Sequence, residues 1–240
     1  MRTSFIWSFT KFNGLSWITK SPPNLIANVV TPACLVFIIY LLSGGKLLPF
    51  AIVGGFVAMI AASSLTVTGQ SAMFRLEFRL QDLIVATRTG IVDYMLGFAM
   101  SNMVFVLPGM AFFAALTVIF GLFTFGRMLV TLVVVFLLAL AATPIAFYAG
   151  SRIKRTIGMW AISGIVSALM TLLPPTFYPY TVLPQPLLYI LALSPVTPAA
   201  ATLQGVYGLA PMNYYMPVLL VIEVMLYTLA ARALTQWREE

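Results

Sequence analysis

The segment RLEFRLQDLIVATRTG (residues 75–90) sets Arg75, Glu77, Arg79, Asp82 and Arg88 among apolar residues, and Asp93 follows closely. These six side chains are drawn from only thirteen Lys+Arg and six Asp+Glu in the whole chain. Apolar positions at Leu76, Leu80, Leu83 and Ile84, continued by Ala86 and Thr87, predict a short amphipathic helix that ends near Gly90. The segment is too short and too charged to cross a bilayer, which takes about 20 mostly apolar residues. An apolar stripe flanked by charges of both signs suits a groove on a partner protein, whereas a segment that reads lipid headgroups is basic only. The plainer alternative is a solvated loop whose arginines anchor the neighbouring spans.

Glu223 is the second candidate, a third to half of the way into the last apolar stretch, VLLVIEVMLYTLAAR. A carboxylate at membrane depth is energetically costly, so an ionisable group there marks a site for a cation, a proton or a polar substrate. The alternative is a neutral or paired Glu that only fixes helix packing, and no basic residue stands at matching depth in another apolar stretch. Asn102 and Gln70 lie within a few turns of the inner face, where hydrogen bonds between helices are their expected role. Pro108-Gly109 and Thr143-Pro144 interrupt long apolar runs and predict bends.

Other chemistry is poorly supplied. The chain has no histidine and a single cysteine, Cys34, inside an apolar run. One cysteine forms no internal disulfide and offers no metal-ligand spacing; Cys34 reads as a small buried or lipid-facing hydrophobe. The commonest general base is missing, and no catalytic motif or resident cofactor is expected. LLSGGK (residues 41–46) has the look of a phosphate-cradling loop, but no strand precedes it and the G-x-x-x-x-G-K-[ST] spacing is missing. A tight Gly-Gly turn between two membrane helices accounts for it.

The elements that position these residues follow from composition. In this 240-residue chain 61% of side chains are apolar and 8% charged, against about a quarter charged in an ordinary soluble domain. A water-soluble core of this size cannot bury so much apolar surface, so lipid is the expected solvent. Six stretches are apolar and long enough to span: 25–42, 48–68, 94–120, 128–150, 157–173 and 215–231. A net charge of +7 suggests nucleic acid in a soluble protein; here its placement about the bilayer is what matters, and no nucleic-acid partner is expected. Arg2, Lys11, Lys20, Arg75, Arg79, Arg88, Arg152, Lys154, Arg155, Arg232 and Arg238 fall on one side, and only Lys46 and Arg127 on the other. The positive-inside rule then places both termini in the cytoplasm.

Two further segments lie outside the spans. Residues 1–22 predict an amphipathic helix on the inner membrane surface, with Phe5, Phe9, Phe12 and Leu15 at helical spacing and Trp7 and Trp17 at headgroup level. No cleaved signal peptide is read there, because the first twenty residues lack a long apolar core. Residues 174–211 hold eight prolines and no charge. An uncharged, aromatic connection of this kind belongs in the outer interface or dips back into the membrane under protein cover, and LLYILAL (residues 187–193) is the expected re-entrant helix.

In these features the chain resembles the ABC-2 type permeases, the membrane subunits of ATP-binding-cassette exporters. Their cytoplasmic loop after the second span carries a Glu, a leucine-rich turn, a Thr-Pro and an acid before the third span. Glu77, then Asp82-Leu83-Ile84-Val85-Ala86-Thr87, then Asp93-Tyr94-Met95-Leu96-Gly97 follow that order. Arg79-Leu80 replace the family's Gly-Thr after the Glu, and Arg88 stands where the Pro usually sits. The outer segment is similar to the family's stretch before the last span at Pro174-Pro175, Tyr178-Pro179, Leu183-Pro184, Ser194-Pro195-Val196-Thr197 and Leu203-Gln204-Gly205.

The resemblance implies an all-α integral membrane fold that forms a single domain over residues 1–240. It has six transmembrane helices, an interfacial N-terminal helix, a coupling-helix loop (73–93) and a re-entrant outer segment. It further implies a half-transporter of the cell (plasma) membrane, a homodimer or a heterodimer with a related permease, seated on two ATPase subunits that supply ATP and magnesium. Arg75, Glu77, Arg79, Asp82, Leu83, Ile84, Thr87, Arg88 and Asp93 would couple to the ATPase, with Arg152, Lys154 and Arg155 as a second, smaller contact. Cargo would be hydrophobic or amphiphilic. The competing reading is an ion- or proton-coupled secondary transporter using Glu223; such carriers usually gather several polar groups at the midplane and show internal repeats, and this chain has one acid there and no convincing repeat.

Overall fold

The computed structural model describes residues 3–20, 22–87 and 89–235, and every regular element in them is helical. Arg88, with Arg2 and Arg238 of the charge tally and the Trp17 side chain, lies outside the described residues.

At the N-terminus, α1 (Thr3–Thr10) runs through a π-helical turn (Lys11–Leu15) into α2 (Ser16–Lys20). A π turn holds an extra residue and rotates the helix beyond it, so the packed face is not the expected stripe. Phe9, Thr10 and Asn13 are buried, while Phe12 and Leu15 are 59% and 46% exposed. Gly14 meets the third long helix closely: a Cβ there would stand 2.8 Å from the Ser101 carbonyl oxygen.

Next comes α3 (Pro22–Ser43), joined to α4 (Leu48–Leu65) by a tight turn in which Gly44 and Gly45 take φ of 56° and 85°. That left-handed geometry favours glycine, so the Gly-Gly-Lys sequence is accounted for by its backbone. α4 continues past Thr66 into α5 (Val67–Leu76), and together they form a 29-residue apolar piece. At 1.5 Å per residue it is about 43 Å long, well over a hydrocarbon core of about 30 Å.

The expected amphipathic helix over 75–90 is shorter and later than its pattern suggests. Arg75 and Leu76 belong to α5, and α6 covers Leu80–Ala86 alone. Then come α7 (Ile91–Ile119), α8 (Phe125–Ser151) and α9 (Met159–Leu172). Helix continues through Pro108 in α7 and Pro144 in α8. Asp93 lies in the first turn of α7 rather than ahead of it, where a carboxylate favours the positive end of the helix dipole.

The outer connection contains two helices, not one. After a 3-10 turn at Tyr180–Val182, α10 (Gln185–Leu191) and α11 (Val196–Val206) meet at a bend of 118°. Proline hides α11 from sequence reading, yet Pro198 falls in its first turn, where the missing N–H has no helical partner to lose. α12 (Tyr215–Leu234) completes the bundle.

Four helical pieces among the described residues are long and apolar enough to cross a membrane: Leu48–Leu76, Ile91–Ile119, Phe125–Ser151 and Tyr215–Leu234. The bent α10–α11 pair makes a fifth if it counts as one span, and Pro32–Ser43 and Met159–Leu172 are apolar but shorter. This is the build of a helical membrane protein. Cys34 is exposed on α3, as a lipid-facing residue would be.

Rings from four elements fill the core near the charged end of the bundle. Phe9 of α1 lies 5.3 Å from Tyr94 and 5.0 Å from Phe98 of α7, Phe74 of α5 lies 5.8 Å from Phe98, and Phe147 of α8 lies 5.6 Å from Tyr94. Edge-to-face and offset pairs at these separations add about 0.5–1.5 kcal/mol each beyond area burial. The cluster ties the N-terminal helix to the roots of the 77–90 connection.

Candidate functional site

The charged end is organised by Arg75. Its guanidinium donates to the carbonyl oxygens of Ser151 at 2.5 Å, Gly150 at 3.3 Å and Ile153. The last carbonyls of a helix have no partner within it and carry its negative dipole end, so a cation there satisfies both needs. Arg75 therefore clamps the end of α8 from the end of α5. Gly150 lets the helices close: a Cβ there would lie 2.1 Å from Ser71 Oγ and 2.5 Å from the Thr68 carbonyl oxygen. Beneath the clamp, buried Ala72, Ile153 and Met159 pack with Met73 and Leu76.

Two connections leave this end. In the first, Glu77, Arg79 and Asp82 are exposed, and beside them the apolar Phe78 and Leu83 are 61% and 65% exposed. Ile84 is buried and roots α6 in the core. Thr87, itself exposed, donates from Oγ1 to the Ile84 carbonyl at 2.7 Å and shares a 2.7 Å hydrogen bond with Thr89, so the end of α6 is closed. Arg79 sits just before α6 at φ 49° and ψ 26°, the only non-glycine left-handed residue among those described. Side chains other than glycine take up that conformation at a cost of about 1–2 kcal/mol. Asp93 is buried at the far root of this connection.

In the second connection, Arg152, Lys154 and Arg155 are exposed around the buried Ile153. Arg152 donates to Tyr148 Oη at 2.9 Å and lies 5.0 Å from the centre of the Tyr148 ring. Arg75 thus joins the two groups of expected site residues through backbone, while Glu77, Arg79, Asp82 and Leu83 remain free to meet a partner.

A separate cavity of about 640 Å³ opens between α3, α4, α7 and α9. Its wall is mainly apolar, with Met59, Phe105, Phe113 and Trp160, and carries the hydroxyls of Ser63, Thr66, Ser163, Ser167 and Thr171. Ser63 Oγ and Thr171 Oγ1 are buried and have no hydrogen-bond partner. An apolar cleft with a few unsatisfied hydroxyls suits an amphiphile with a hydrogen-bonding group. Sequence reading missed this site, although Ser163, Ser167 and Thr171 recur every four residues along one face of α9.

Glu223 does not line that cavity. It is 3% exposed on α12, and its Oε2 has no hydrogen-bond partner. One turn on, Tyr227 Oη donates to the Leu193 carbonyl oxygen in the α10–α11 bend at 2.5 Å, and Ser194 Oγ of the same bend donates to the Met170 carbonyl of α9 at 3.2 Å. Tyr227 is twelve residues into α12, about 18 Å along its axis, so the bend reaches the level of the middle of α12. Asn102 is buried in α7 with its Nδ2 unpartnered, and Gln70 Oε1 in α5 is likewise unpartnered. The hydrogen bonds between helices expected of both are not formed at these atoms.

Gln204 of α11 organises the uncharged end, a role its sequence did not disclose. Its side chain accepts from the Tyr180 N–H at 3.0 Å and donates to the carbonyls of Pro175 at 2.7 Å and Tyr178 at 2.9 Å. Tyr180 Oη donates to the Pro211 carbonyl at 2.6 Å. Burial raises the pKa of Tyr178 and Tyr180. Among the described residues no three His, Cys, Asp or Glu side chains gather as a metal site. Comparisons with protein-family models, curated proteins and solved structures return no match.

Proposed function

We propose that this chain is the permease subunit of an ATP-driven exporter of the ABC-2 type, carrying a hydrophobic or amphiphilic cargo. In this reading α3, the α4–α5 piece, α7, α8, α9 and α12 are six spans, both termini are cytoplasmic, and the α10–α11 bend is a re-entrant hairpin under the outer face. Two such chains, or one with a related chain, sit on ATPase subunits in the cell membrane; those subunits hold the nucleotide.

The observation that carries the reading is the backbone at Arg79. Its left-handed conformation is one that glycine adopts without strain, and the resemblance to the permeases puts their glycine at this position, just after the loop's Glu. A left-handed backbone where the resemblance puts a glycine is what supports the coupling-loop reading. The exposed Phe78 and Leu83 between Glu77, Arg79 and Asp82 supply the apolar tip and mixed charges that insertion into a protein groove needs. Closure of the ATPases on ATP would push α6, and the Arg75 clamp would pass that push to α8, which turns a local contact into a rearrangement of spans.

The test is co-purification. Glu77→Lys and Asp82→Lys should each abolish association with the partner ATPase, or stimulation of its activity. Unchanged assembly and transport in both would sink the reading. The alternative, an ion- or proton-coupled carrier, rests on the buried Glu223, whose Oε2 has no hydrogen-bond partner; Glu223→Gln that leaves transport and its pH dependence untouched removes it.

A further inference from the structure

We infer that the turn between α8 and α9 is a binding site for the headgroup of an anionic phospholipid, rather than the second ATPase contact that the family resemblance implies. The inference rests on reading α8 and α9 as spans, and it does not depend on an ATPase.

A cavity of about 370 Å³ lies in this turn, and its lining includes Arg152, Lys154 and Arg155 together with Ile153, Ile157 and Ile162, with no acidic side chain. Three cations, unrelieved by an acid, form a receptor for phosphate. The 77–82 connection at the same end carries both signs and lacks that character. The apolar part of a lipid is provided for as well. Ile157 is 91% exposed and Ile162 43%, and both line the cavity with the cations. A cation cluster next to exposed apolar residues matches the order of phosphate, glycerol and acyl chain met on leaving water for lipid.

The turn is built to hold this arrangement. Arg75 takes the carbonyls of residues 150, 151 and 153, and Ile153 is buried at 6% exposure. The backbone is thereby fixed while Lys154 and Arg155 point away from the core. Tyr148 holds the Arg152 guanidinium through its hydroxyl and its ring face, which orders one cation before any lipid arrives.

The experiment uses the full chain carrying Trp7→Phe, Trp17→Phe, Trp160→Phe and Trp237→Phe with Ile157→Trp, so that one indole stands among the residues that line the turn cavity. Reconstitution into phosphatidylcholine vesicles with equal mole fractions of brominated phosphatidylglycerol or brominated phosphatidylcholine reads which lipid sits beside it. Brominated phosphatidylglycerol should quench more strongly. Each basic residue near an anionic surface is worth about a factor of five in binding. Lys154→Gln/Arg155→Gln should therefore lower the preference about 25-fold, and Lys154→Arg/Arg155→Lys should keep it. Should the double variant fail to insert, Arg155→Gln alone should lower the preference about fivefold. Equal quenching by the two lipids, or unchanged preference in the Gln variants, overturns the inference. So does relief of quenching by excess inorganic phosphate, which would make this a site for a free anion. Loss of ATPase association in the Gln variants with lipid preference intact would return the turn to protein docking. Because the quenching assay contains no ATPase, its failure is separate from failure of the exporter reading.

Discussion

The two connections at the charged end, 77–90 and 152–158, leave helices that one arginine locks together, yet they present opposite surfaces. The first shows Phe78 and Leu83 between charges of both signs; the second shows three cations and no acid beside the exposed Ile157. Shared position therefore does not imply a shared partner. Sign pattern is the discriminating quantity, because a protein groove offers specific complements to both signs, while an anionic leaflet offers only one.

The largest effect should come from removing what the two have in common. Arg75→Ala strands backbone carbonyls at the end of α8 and loses hydrogen bonds from a charged donor, each worth about 1.5–3 kcal/mol. The chain should lose about 3 kcal/mol or more of stability, read as a lower unfolding midpoint in detergent, and both connections should become protease-sensitive together. Cleavage of one alone would show that the clamp does not join them.

The next contrast separates the partners. Glu77→Lys with Asp82→Lys should abolish ATPase binding, whereas Lys154→Gln with Arg155→Gln should leave it within about twofold, a change well under about 1.4 kcal/mol. Equal losses in both sets, measured by pull-down at fixed salt, would erase the distinction. Leu83→Ser then tests the apolar tip. As an exposed residue it should change folding stability by no more than about 0.5 kcal/mol, while ATPase association drops about fivefold.

The smallest effect concerns Arg79. Arg79→Gly relieves a left-handed backbone but gives the unfolded chain more freedom, so stability should rise by less than about 1 kcal/mol, read as a slightly higher unfolding midpoint. A clear fall would mean that the Arg79 side chain itself contributes to the fold.

The long apolar helices were legible because lipid demands continuous apolar runs, and the Gly44-Gly45 turn because two left-handed residues need glycine. Where tertiary packing decides, the sequence pattern misleads. Polar Gln70 and Ser71 suggest that the second span ends near Thr68, yet helix runs on to Leu76 because Ala72 and Phe74 are buried and Arg75 finds carbonyls on α8. In the N-terminal element a π turn shifts the buried face from Phe12 to Asn13 and Gly14, and no spacing rule anticipates it. Helix α11 was hidden by Pro195 and Pro198, residues that helix starts tolerate. Of the candidate site residues, Glu77, Arg79, Asp82 and Leu83 are exposed, with Glu77 and Arg79 outside α6. Arg75 binds carbonyls at the end of α8, and Ile84 is buried in the core. The cavity between α3, α4, α7 and α9 depends on which helices adjoin, and only the four-residue recurrence of hydroxyls on α9 hinted at it.

The clamp also makes sequence tolerance one-sided. Arg75 grips main-chain oxygens at the end of α8, so residues 151–153 can change identity without releasing those bonds, provided the helix still ends there and Gly150 keeps its close approach. On the α5 side there is no such latitude, since lysine has no planar fork with which to reach several carbonyls at once. A saturation library should therefore accept many residues at 151 and 152 and almost none at 75.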